Sequence, residues 1–238
     1  MTGAGDDDAT AADGPAPAPL TRESIRDGLL QRLVGQRDPG ARPMTAGERA
    51  ASIDAMLQAR PADADAIRVF GYGSLLWNPA FHYAESRAGT IHGHHRRFCL
   101  WTPVGRGTAD RPGLVLGLDS GGACRGLAFR VPDDRIAVEL DIVWRREMVT
   151  HAYVPTWVRV HTDDAVLPAI TFVINHQHPR YAGALSEGET AEVLATAGGE
   201  LGSCRDYLSS TVAHLDAMGM PDSALHRLAR KVAERGPA

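Results

Sequence analysis

Ile25, Leu29, Leu30, Leu33 and Val34 recur at helical spacing behind Thr21, a residue suited to capping a helix N-terminus. A second helix is announced by Thr45-Ala46-Gly47-Glu48, in which hydroxyl and carboxylate each satisfy a free backbone N–H, and it is expected to run to about Arg60, where Pro61 stops it. The period then changes. Ile67-Arg68-Val69-Phe70 reads as a short buried strand ending in Gly71-Tyr72-Gly73. Further β-rich stretches follow near 88–101, 113–119, 124–130, 157–162 and 168–174, broken by Gly, Pro and Asp turn signals. One helix is expected among them, over roughly 133–148. After Pro179 the chain turns helical again: Ser186, Gly188 and Glu189 begin one helix, a second spans about 204–217 and a third about 222–235. Strands in the middle and helices towards the ends predict an α+β fold. Five or six short strands with one inserted helix predict a small barrel, closed or nearly so.

Composition adds boundaries to this picture. Residues 1–19 are rich in Ala, Asp, Gly and Pro, with little to bury, and are expected to be a disordered tail. Residues 20–62 then form a helical N-terminal extension, and 66–238 the main domain. With 238 residues, 44% of them hydrophobic, the chain can build one substantial core. The net charge of -4 comes partly from Asp6, Asp7 and Asp8, and no basic stripe is present, so no nucleic-acid partner is expected. Apolar runs fall well short of the roughly 20 residues that cross a bilayer, so no membrane partner is expected either. The first residues lack the pattern of a secretory leader, which makes the cytoplasm the expected location. Cys99, Cys124 and Cys204 are far apart and lie among apolar neighbours, so they read as reduced, packed thiols.

Three groups of residues are candidates for chemistry. Gly71-Tyr72-Gly73-Ser74-Leu75 follows a buried strand, but the third glycine of a dinucleotide fingerprint is missing, and Asn78-Pro79 opposes the helix that should follow. A nucleophile elbow needs glycine two residues either side of Ser74, where Tyr72 and Leu76 stand. Two readings remain, a tight turn with no ligand or a turn whose backbone N–H groups face a small anion. The second candidate is Glu147. Ile136, Leu140, Val143 and Trp144 form an apolar stripe, and one further step along it lands on Glu147. Either it pairs with Arg145 or Arg146 at the helix end, or it is an inward acid whose charge is disfavoured by burial and by the helix dipole. The third group is histidine: His92 and His94 share a strand face, but no carboxylate or thiol completes a metal site nearby. Tyr153, Tyr181 and Tyr207 are also candidates, because tyrosine is scarce here, five in all, and Tyr207 sits at a polar helix start.

Together these residues resemble the ChaC-type, glutathione-specific γ-glutamyl cyclotransferases. The likeness opens on Val69-Phe70-Gly71-Tyr72-Gly73-Ser74-Leu75-Leu76-Trp77-Asn78. It continues through Arg96-Arg97-Phe98, Pro112-Gly113, Gly126-Leu127-Ala128-Phe129-Arg130, Trp144-Arg145-Arg146-Glu147-Met148 and His178-Pro179-Arg180-Tyr181, and ends at Gly202-Ser203-Cys204-Arg205-Asp206-Tyr207-Leu208. It spans roughly 67–215 and is nearest the bacterial branch. The resemblance implies a small mixed β-barrel with flanking helices, no cofactor and no metal. It assigns Tyr72, Gly73, Ser74 and Leu75 to the substrate-holding loop, Glu147 to the acid/base role, and Tyr153 and Tyr207 to the γ-glutamyl group. Met148-Val149-Thr150-His151 departs from relatives, which often carry glycine there.

The expected reaction is cleavage of glutathione to 5-oxoproline and Cys-Gly. The substrate's own α-amine attacks its γ-carbonyl, so no Ser or Cys nucleophile is needed, in keeping with the failure of the elbow reading. Two alternatives stay open: a cyclotransferase for other γ-glutamyl peptides or amines, and a non-catalytic module that binds the γ-glutamyl group. A monomer is expected.

Overall fold

The computed structural model describes residues 20–38 and 40–236; the tail expected over 1–19 lies outside them. Its centre is a closed five-stranded barrel. The strands are β1 (Arg68–Gly71), β2 (Glu85–Thr102), β3 (Gly113–Arg130), β4 (Tyr153–His161) and β5 (Val166–Ile174), in spatial order β1-β3-β2-β4-β5. β2 and β3 form a long hairpin, from Glu85 opposite Arg130 to Thr102 opposite Gly113. β4 and β5 form a second, from Tyr153 opposite Ile174 to His161 opposite Val166. β1 lies antiparallel to β3 and parallel to β5, which closes the barrel and makes it mixed.

One expectation changes here. The stretches at 113–119 and 124–130 are a single strand. Exposed Gly121 and Gly122, both at positive φ, absorb a local irregularity without ending the pairing with β2.

β1 and β5 are buried almost throughout, and successive residues face opposite sides. Phe70 and Ala169 join a cluster with Ile91, Phe98, Leu114 and Leu118 inside the barrel, whereas Val69, Ile170 and Phe172 join a second cluster on its outside. That outer face is covered by α4 (Ile136–Glu147), whose Leu140, Val143 and Trp144 are buried. Trp144 meets Phe172 edge-on, ring centres 5.1 Å apart.

The N-terminal helices pack on the far side of α4. The helix expected from Thr21 is two, α1 (Arg22–Arg26) and α2 (Leu29–Arg37), divided at Gly28 with φ +78. The box at Thr45 and Glu48 opens α3 (Ala46–Gln58) as expected. Arg22 of α1 pairs with Glu139 of α4, and Arg49 of α3 with Asp141. Gln31 of α2 donates to the Arg145 carbonyl at 2.8 Å. Trp144 Nε1 donates to Ser52 Oγ at 3.0 Å, and Met44 N to the Val149 carbonyl at 2.8 Å. α4 is therefore held from both sides.

At the other end of the chain come α5 (Glu187–Thr196), opened by the Ser186 and Glu189 capping box, the two-stranded β6 (Gly198–Gly199) and β7 (Gly202–Ser203), α6 (Cys204–Ala217) and α7 (Ser223–Ala233). Apolar residues of α5, α6 and α7 join the barrel-interior cluster. No helix among the described residues is long and apolar enough to cross a membrane.

Candidate active site

β1 ends at Gly71, and the chain turns through Tyr72 and Gly73 into a single 3₁₀ turn, Ser74–Leu76. The Asn78-Pro79 pair keeps this from growing into a helix. Two glycines are needed for close approach. A Cβ on Gly71 would lie 2.9 Å from Leu75 Cβ and 3.0 Å from the Phe129 ring, and one on Gly73 only 3.1 Å from the Tyr207 hydroxyl. The turn thus presses against the tyrosine that opens α6. Tyr207 is placed there by Ser203, whose hydroxyl accepts from Asp206 N and caps the helix.

Glu147 is the last residue of α4, and the phase of that helix aims it at the same turn. Its side chain is only 15% exposed. Burial pushes its pKa above the usual carboxylate value, and the Arg146 guanidinium pulls partly the other way. Arg146 is itself buried. Its Nε lies 3.2 Å from Glu147 Oε1, its Nη2 donates to Ser74 Oγ at 2.7 Å, and its Nη1 donates to the Asn78 carbonyl. One guanidinium therefore ties the acid to the turn. Arg145, the other candidate partner, pairs with Asp141 at 2.6 Å instead.

The two helix-end readings of Glu147 merge. It is both paired with an arginine and turned inward.

Tyr72, Gly73, Ser74, Leu75, Glu147, Tyr153 and Tyr207, the seven residues singled out from the sequence, all line one cavity of about 400 Å³. That is an ordinary size for a small-molecule site. Tyr72 donates its hydroxyl to the Phe172 carbonyl at 2.9 Å, and Tyr153 to that of Leu116 at 2.7 Å. Burial raises the pKa of all three tyrosines, and the nearby Glu147 carboxylate adds to the rise, so they remain protonated donors. Arg96 supports the turn from behind, donating to the Tyr72 carbonyl while pairing with Asp222 at 2.7 Å.

Some candidates fall elsewhere. Tyr181 does not line the cavity; its hydroxyl donates to Asp119 at 3.0 Å. His92 packs against His161, ring centres 5.0 Å apart. Among the described residues no group of three or more His, Cys, Asp and Glu is arranged to hold a metal ion. Cys99, Cys124 and Cys204 are buried and unpaired with one another, and burial pushes the Cys99 thiol up to about 12 and that of Cys124 to about 11.

Sequence reasoning missed part of the wall. Leu20, Leu30 and Val34 of the N-terminal extension line the cavity, as do Arg106 and Arg180. Leu30 and Val34 were legible only as part of one face of an amphipathic helix, and Leu20, which precedes α1, lay outside that face. Arg106 carried one signal, its place between Gly105 and Gly107 in the β2–β3 connection.

The profile of the ChaC-like protein family matches residues 67–235. The chain belongs to the ChaC-like family. Over 185 residues it is 43% identical to the glutathione-specific γ-glutamylcyclotransferase of Escherichia coli (strain K12), covering 77% of this chain and 80% of that one. Over 151 residues it is 34% identical to glutathione-specific γ-glutamylcyclotransferase 1 of Homo sapiens, covering 61% of this chain and 68% of that one. Among solved structures, the crystal structure of a γ-glutamyl cyclotransferase specific to glutathione from yeast superposes with a TM-score of 0.65 at 23% identity, covering 71% of this chain and 96% of that one. The ChaC-like chain thus shares the barrel architecture of that structure. Its α1 to α3 lie before the residues that the family profile matches.

Proposed function

We propose that this protein is a glutathione-specific γ-glutamylcyclotransferase, releasing 5-oxoproline and Cys-Gly, with Glu147 as its proton carrier. The observation that carries the reading is that a largely buried Glu147, its pKa raised by burial, shares with the Gly73–Leu75 turn a cavity that offers no activated nucleophile. Ser74 accepts a hydrogen bond from the Arg146 guanidinium, which is a cation and not a base, and the thiols are buried. A reaction whose nucleophile arrives within the substrate fits this site.

The turn and the Tyr207 hydroxyl hold the glutamyl chain, with Tyr72 and Tyr153 forming the wall beside it, so that its amine lies about 3–3.5 Å from the γ-carbonyl carbon. Glu147 takes a proton from the α-ammonium, the freed amine attacks, and the γ-carbonyl becomes a tetrahedral oxyanion. The first N–H groups of a 3₁₀ turn lack partners within the turn, and those of Gly73 to Leu75 stabilise the oxyanion. The C–N bond to cysteine then breaks. Two protons leave the ammonium as it becomes the lactam nitrogen, and two end on the departing amine, passed through Glu147. No oxidation state changes and no water is consumed. Consistent with this chemistry, the reading places the protein in the cytoplasm, with glutathione as its small-molecule partner.

The test is to incubate the pure protein with glutathione, without added metal, and to follow 5-oxoproline by mass spectrometry. The wild type makes it, and Glu147→Gln, which keeps the shape and deletes the proton carrier, loses at least about 10³-fold in kcat. Near wild-type turnover by Glu147→Gln removes Glu147 from the mechanism. Faster turnover of γ-Glu-Ala than of glutathione moves the substrate assignment to other γ-glutamyl compounds.

A further inference from the structure

Three guanidinium groups line the cavity, and two are already neutralised. Arg146 is paired with Glu147, and Arg180 forms an ion pair with Asp38 at the end of α2. Arg106 is different. Its Cζ sits 4.8 Å from the centre of the Tyr207 ring, and its Nη1 donates to the Ser203 carbonyl at 2.9 Å. Among the described residues it forms no ion pair, and its Nε and Nη2 make no hydrogen bond. Asp206 is near enough to favour its charge but forms no ion pair with it, and Asp206 Oδ2 accepts from the Ser203 hydroxyl at 2.7 Å. Burial lowers the pKa of Arg106, as befits a cation short of a counterion. A partly desolvated guanidinium facing a cavity with unused donors is a site for a carboxylate.

Glutathione has two carboxylates, and position separates them. The hydroxyl of Tyr207 abuts Gly73, while Arg106 lies over the face of the same ring. Arg106 is therefore displaced from the turn by about the size of an aromatic side chain. An extended Cys-Gly unit reaches about 7 Å beyond the γ-carbonyl, which brings its terminal carboxylate to this distance.

Resting on the cyclotransferase reading, we propose that Arg106 binds the glycyl carboxylate of the substrate and sets the preference for a γ-glutamyl peptide with a free C-terminal acid at that position. The guanidinium grips the leaving half of the molecule, and the stack on Tyr207 fixes its plane.

The experiment compares glutathione with its glycyl amide, which keeps the peptide and removes only the terminal charge. Wild type has a kcat/KM about 10- to 100-fold higher on glutathione, carried mainly by KM, the range expected for a charged hydrogen-bonded contact. In Arg106→Gln the value on glutathione falls and the ratio between the two substrates collapses towards one. Arg106→Lys, which keeps the charge without the fork, retains part of the ratio. The ratio does not depend on how much of a variant folds. The inference is overturned if wild type treats both substrates alike, or if Arg106→Gln lowers both by the same factor, which would put Arg106 on the α-carboxylate or in a purely structural role. Absence of 5-oxoproline from both substrates with wild type overturns the cyclotransferase reading itself, and this inference with it.

Discussion

A single guanidinium decides how Glu147 behaves. Burial raises the pKa of the carboxyl, and Arg146 at 3.2 Å opposes the rise while also holding Ser74 and Asn78. The base must be ionised to accept the first proton, so kcat/KM falls as pH drops through the pKa of Glu147 in the free enzyme. Removing the cation leaves burial unopposed. Arg146→Gln should therefore move the acid limb of the kcat/KM profile to higher pH and lower the value at neutral pH by about 10-fold or more, because the turn loses its anchor too. Arg146→Lys keeps the charge and should shift the limb less. A profile unmoved in Arg146→Gln would show that the two charges are not coupled.

At the scale of elements, α4 carries the site and three N-terminal helices clamp it. The deepest contact is Glu139, fully buried, which accepts from Arg22 Nη2 at 2.9 Å and from His82 N at 2.9 Å. Burial pushes its pKa up, but Arg22 and the His82 N–H outweigh burial and hold it below the ordinary 4.5. A carboxylate whose folded pKa is depressed contributes stability fully present above its unfolded value and lost as pH falls through the folded one. Glu139→Gln should therefore cost about 3–5 kcal/mol at neutral pH, and its stability should fall less steeply than that of wild type below about pH 4.5. Urea titrations followed by tryptophan emission report this, since Trp144 bonds Ser52 and Trp157 bonds the Met56 carbonyl on α3. Equal acid sensitivity in both proteins would exclude Glu139 as the source. Much of this layer was legible in the sequence. The α4 stripe aimed Glu147 inward, and the capping residues located α3 and α5. What could not be read is what α1 to α3 pack on. Glu139 and Ile142 lie off the predicted stripe, and only the assembled fold shows that both sides of α4 are covered. The role of Arg106 was hidden for a related reason, its flanking glycines marking only a turn. Its meaning lies in a stack on a tyrosine about 100 residues away, which no local period encodes.

On the scale of the whole molecule, β1 is the piece that makes one cavity out of distant segments. Its parallel contact with β5 and antiparallel contact with β3 close the barrel, and its end delivers the turn to the C-terminus of α4 and the start of α6. Closure also buries the three cysteines, Cys99 and Cys204 completely. With thiols raised to about 12 and about 11, Cys99 and Cys124 hold almost no thiolate at neutral pH, and thiolate is the species that attacks a disulfide. For a protein that handles glutathione this has a consequence in redox terms. The folded chain should stay unmodified in the presence of glutathione disulfide, with no 305-dalton class adducts accumulating over about an hour by intact-mass measurement, whereas the same treatment in urea should label it. Labelling of the native protein at a comparable rate would contradict this. The fold that shapes the pocket thereby insulates the protein from the oxidation state of the thiol pool it draws on, so its output can follow the amount of reduced substrate without the catalyst itself being switched.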